Sequence, residues 1–94
     1  MPTYLVEAYM PRSHAQEARA TGRRAQAAAE ELSRDGAAVA YVRTTFLPND
    51  ETCFHLFEAA SAEVVEEACN RAELGRARVV PAIEAFPTSA SDAR

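Results

Sequence analysis

The sequence predicts an α+β fold of the ferredoxin-like βαββαβ type: a four-stranded antiparallel sheet with two helices on one face, doubled into a dimeric α+β barrel. Three observations predict it. Segments rich in β-branched and aromatic residues recur four times, two alanine-rich stretches of helical period separate them, and the middle pair of segments is joined by turn chemistry alone. With right-handed crossovers and unknotted connections, that order gives the strand sequence 4-1-3-2. The sheet face without helices is then solvated or covered by a second subunit.

Each element has a local reason. "TYLVEAY", 3 to 9, is a short β-forming run ended by Pro11, which has no N–H for a ladder. Helix one is expected to start at Ser13, where Gln16 three residues on gives the capping-box spacing. Its small face runs through Ala18, Gly22, Ala25, Ala29 and Leu32, close enough to a sheet to accept the roughly 1 kcal/mol that Gly22 costs in a helix interior. Gly36 supplies the stop. "AAVAYVRTTFL", 37 to 47, and "ETCFHLFEA" flank "PND" and form a hairpin. "SAEVVEEACNRAELG" starts helix two at Ser61, turns Val64, Val65, Ala68 and Ala72 to one side, and stops at Gly75. "RARVVPAIEAF", 76 to 86, is strand four, with Pro81 marking an edge or a bulge. Residues 1–86 are thus one domain, and 87–94 are expected to be a disordered tail.

Composition narrows the partners. Among 94 residues there are five Leu, seven Val, one Ile and four Phe, against twenty-one Ala, so the core is thin and a homodimer is expected. The net charge of −4 leaves no basic stripe for nucleic acid. All ten basic residues are arginine, which removes lysine Schiff-base chemistry. Cys53 and Cys69 lack metal-site or paired spacing, the N-terminus lacks a signal-peptide pattern, and no run reaches the roughly 20 apolar residues of a membrane span. A cytoplasmic protein with free thiols and no membrane or nucleic-acid partner is expected.

The polar residues of "TCFHLFEA" raise the question of a site. Strand alternation sets Cys53, His55 and Phe57 on one face and Phe54, Leu56 and Glu58 on the other. The register that best sorts apolar from polar puts Val6, Ala8, Phe54 and Leu56 under the helices, and Glu7 and Tyr9 beside His55 and Cys53. A three-residue hairpin loop adds Tyr41, Arg43 and Thr45 to that polar face, whereas a four-residue loop puts Thr44 and Phe46 there and sends Arg43 across. Two functions suit the set. One is a divalent metal site of His55, Glu7, Cys53 and His14, imidazole and carboxylate fitting nickel, zinc or copper with a soft thiolate. The other is a cofactor-free cyclase or isomerase acting on a small apolar substrate, with His55 and Glu7 as acid and base and Tyr9, Tyr41 and Arg43 orienting the substrate. The plain readings stand beside these: a hydrogen-bonded sheet histidine, a cysteine packed as a small hydrophobe, and a Glu7–Arg43 cross-strand ion pair.

"YLVEAYMP", "YVRTTFLPNDETCFHLFEA" and "EEACNRAEL" resemble a family of small bacterial nickel-binding ferredoxin-like proteins, catalogued in part as a domain of unknown function. Tyr4, Leu5, Val6 and Glu7 match its opening, and Phe57, Glu58 and Ala59 match its third strand, with Phe in place of the family's Tyr. The resemblance implies the fold, the dimer and a nickel role. His55 stands where the family usually has Cys, and Ala68 where its helix usually has His, so an obvious nitrogen ligand is missing.

Overall fold

The computed structural model describes residues 1–85, so the expected disordered tail, 87–94, lies outside the described residues. Four strands, β1 (Thr3–Tyr9), β2 (Val39–Leu47), β3 (Thr52–Ala59) and β4 (Ala77–Ala82), alternate with helices α1 (Ala18–Arg34) and α2 (Ala62–Ala72) in the order βαββαβ. The sheet is antiparallel throughout, ordered β2-β3-β1-β4, and Pro81 lies on the edge strand β4. The ferredoxin-like arrangement is therefore present. No helix among the described residues is long and apolar enough to cross a membrane.

Element ends depart from expectation in two places. Ser13 makes no cap; the chain after Pro11 forms a 3₁₀ segment over Arg12–Glu17, broken at His14 (φ −104°, ψ 23°), and α1 begins only at Ala18. That segment is tied to the hairpin loop instead, the Met10 and Arg12 N–H groups donating to the Glu51 carbonyl and carboxylate. At α2 the Ser61 hydroxyl does accept from the Val64 N–H, but the helix stops at Glu73 in the left-handed region (φ 56°), two residues before Gly75. The Arg24 guanidinium donates to the Ala72 carbonyl, satisfying one open acceptor at the end of α2.

The core lies between the sheet and the two helices, which contribute Ala25, Ala28, Ala29, Leu32, Val65, Ala68 and Ala72. Because most of those side chains are alanine, depth must come from the sheet. Val6 and Phe57, fully buried, supply it, the phenyl ring alone contributing about 1.5–3 kcal/mol of transfer free energy. Outside this core, Arg71 joins the helices by contacting Glu67, Glu31 and Asp35, an exposed network of small energetic weight.

The register corrects the expected assignment of faces. Val6 pairs with His55 and Ala8 with Cys53, so Cys53, His55, Phe57 and Ala59 face the helices. Leu5, Glu7, Phe54, Leu56 and Glu58 lie on the open face. Leu47 pairs with Thr52, leaving the four-residue loop Pro48–Glu51, the alternative that carries Thr44 and Phe46 to the side of His55 and Arg43 away from it. An irregularity between Tyr41 and Arg43 inserts Val42 and restores Tyr41 to the helix side as well.

Candidate functional site: a buried imidazole relay beneath a cleft

The interior position of β3 places His55 with no exposed surface at all. A polar ring there needs partners, and β2 and β3 provide them. The Thr44 hydroxyl lies 2.8 Å from His55 Nδ1, and Cys53 Sγ lies 3.8 Å from Nε2. Thr44 in turn bonds the Tyr41 hydroxyl at 2.6 Å, and the Tyr41 ring meets Phe57 edge to face at 5.9 Å. The Val42 bulge is what allows Tyr41 and Thr44, three residues apart, to share one side of a strand.

This chain of polar groups has two consistent directions. With Nδ1 accepting, the hydroxyl protons of Thr44 and Tyr41 point inward, and the phenol oxygen accepts from outside. With Nδ1–H donating, both hydroxyls reverse, and the phenol donates outward. Burial, with Arg24's positive charge as the smaller cause, lowers the His55 pKa to about 4, so the imidazole is neutral at pH 7. Burial also raises the Cys53 thiol, keeping it protonated.

The outer end of the chain opens on a cleft of about 350 Å³ between α1 and the edge strand β2, lined by Ala18, Arg19, Gly22, Arg23, Gln26, Tyr41, Thr44 and Phe46. Gly22 makes the approach possible: a Cβ there would stand 2.8 Å from Thr44 Oγ1 and 3.1 Å from the Tyr41 hydroxyl. Arg19 and Arg23 are exposed on the rim and enter none of the ion pairs found among the described residues. No carboxylate lines the cleft.

The residues nominated from sequence do not meet at one point. Glu7 is across the sheet from His55, opposite Phe54, with its carboxylate 3.3 Å from Arg78 rather than Arg43. His14 is exposed on the 3₁₀ segment, 3.8 Å from Glu17. Tyr9 is 71% exposed at the far end of β1, and Arg43 lines a trough of about 290 Å³ on the open face with Leu5, Phe54 and Leu56. Only His55 and Cys53 stay together, joined by Tyr41. Among the described residues no three His, Cys, Asp or Glu side chains are grouped to hold a metal, so the proposed four-ligand set does not fit one ion.

Thr44, Gly22, Arg19 and Arg23 were not nominated as site residues. The signal for Gly22 was the glycine in a helix interior; for Thr44 it was the four-residue loop. Nothing local marks the two arginines, because in sequence they are like the other arginines of the chain until a cleft selects among them. Comparison of the chain with protein-family models, with curated proteins and with solved structures found no match.

Proposed function

We propose that the chain is a homodimeric small-molecule-binding protein whose ligand lies in the α1–β2 cleft and hydrogen-bonds the Tyr41 hydroxyl. The observation that carries the reading is the continuous path from the buried His55 ring through Thr44 to that hydroxyl, with Gly22 holding the helix close over it. Because the path runs in either direction, Tyr41 suits a ligand that donates or one that accepts. Catalysis by His55 as a general base receives no support from the electrostatics. A proton taken up along the path would create an imidazolium inside the core, where burial and Arg24 oppose it. Glu7, on the far face, cannot share the work.

The homodimer rests on the open face, where Leu5, Phe54 and Leu56 form an apolar strip edged by both signs of charge, Arg43 on β2 and Glu84 past β4. Such an edge suits a two-fold arrangement in which each Arg43 meets acidic residues of the other copy. Sedimentation equilibrium of the wild type and of Phe54→Arg, at a half-buried position of the same face, tests it; a dimer that the substitution dissociates is expected, and a wild-type monomer contradicts it.

For the cleft, labelled protein is titrated with benzoate and with benzamide while backbone amide resonances are followed. Shifts at Gly22, Thr44 and Phe46 from either compound, lost in Gly22→Ala, are expected. No shift there from either up to about 10 mM would sink the reading.

A divalent metal such as nickel has one observation in its favour: the 3.8 Å between Cys53 Sγ and His55 Nε2 is a spacing that two ligands of a single ion adopt. Heat on titrating chelator-treated protein with nickel, absent in His55→Ala, would support it; silence would remove it.

A further inference from the structure

Resting on the cleft as the ligand site, we infer that its ligand is a small cyclic carboxylate, with the ring against Ala18 and Phe46, the carboxylate on Arg19 and Arg23, and a polar substituent at Tyr41.

The argument starts from charge. The chain carries a net −4, yet the cleft has two guanidiniums on its rim and no acidic group in its lining. Both arginines lie on α1, four residues apart, so their side chains leave the same face of the helix. Arg12, Arg71 and Arg78 each meet a carboxylate of the protein, whereas Arg34, Arg43 and Arg76, also exposed, enter no ion pair among the described residues, so what sets Arg19 and Arg23 apart is that the two share one cleft rim. At the cleft no carboxylate among the described residues plays that part, and two forks of N–H donors are left for an outside oxyanion, which guanidinium binds in bidentate fashion.

Shape supplies the rest. Gly22 brings the backbone of α1 against the Thr44 and Tyr41 hydroxyls, which are the polar groups at the inner end, Gln26 adds an amide to the lining, and Ala18 and Phe46, half-buried, supply apolar surface. At about 350 Å³ the volume is near the lower end for ligand sites, the range of one ring rather than a nucleotide. A free phosphate would satisfy the arginines but would leave the apolar surface and Tyr41 unused.

The test compares affinities of benzoate, benzamide and inorganic phosphate for the wild type and for the double variant Arg19→Gln, Arg23→Gln. Both positions are exposed, so the fold is retained, which circular dichroism checks. Benzoate is expected to bind at least about ten-fold more tightly than either other probe, weakening with added salt. In the double variant that preference is expected to vanish while benzamide binding persists. Equal binding of benzoate and benzamide at the cleft would overturn the carboxylate and leave the cleft reading intact. Phosphate binding as tightly as benzoate would overturn the ring. Failure of all three to bind would overturn both readings.

Discussion

On the helix-covered face of the sheet stand Val6, Ala8, Cys53, His55, Phe57 and Ala59; on the open face stand Leu5, Glu7, Phe54, Leu56 and Arg43. The covered side, where hydrocarbon alone would be expected, holds a histidine, a threonine and a tyrosine in one hydrogen-bonded path. The open side carries the larger aliphatic groups, and Leu56 is 93% buried even there, its exposure being 7%. The difference follows from the helices. Alanine faces come close to the sheet and leave room for flat rings from β2 and β3, while the branched leucines are left for whatever covers the open side.

The sharpest way to break this contrast is to truncate one phenylalanine on each face. Phe57→Ala is expected to cost about 3–5 kcal/mol in urea unfolding. Phe54→Ala is expected to cost about 1 kcal/mol or less within one chain, its effect falling on the dimer. Comparable losses would mean that the two faces are not different in kind.

Next in size is the pH dependence of the covered face. The unfolded His55 takes its proton near pH 6.5, the folded one near 4. Between those values the unfolded chain binds more protons, so stability is full above pH 6.5 and falls as pH drops toward 4, by about 3 kcal/mol. Urea midpoints across that window measure it, and His55→Asn is expected to flatten the slope. A smaller effect is expected for Thr44→Val, which keeps the shape but leaves His55 Nδ1 and the Tyr41 hydroxyl without their shared partner, at about 1–3 kcal/mol. On the open face, Glu7→Gln removes a solvent-exposed pair with Arg78 and is expected to change stability by less than about 0.5 kcal/mol.

The elements themselves were legible because their signals are local: Pro11 ends β1, Ser61 caps α2, and the turn residues after Leu47 force a hairpin. The faces were not. Sorting apolar from polar assumes that only one side of the sheet is buried, and it sends Phe54 and Leu56 under the helices. When both sides carry apolar residues, the rule loses its discrimination. The Val42 bulge and the fourth loop residue then decide where Thr44, Arg43 and Tyr41 point, and neither has a composition of its own. Glu73 is a similar case: a glycine two residues on drew the expected helix stop, but the chain turned left-handed at a glutamate.

The state of one imidazole separates a buried hydrogen-bonded path from an ordinary titrating histidine. Long-range proton–nitrogen NMR of the two histidine rings, followed from pH 8 to 4, reads it. His55 is expected to keep a single neutral tautomer until the pH approaches 4. Titration of His55 near 6.5, the value of a free imidazole, would contradict the buried relay and with it the site built upon it.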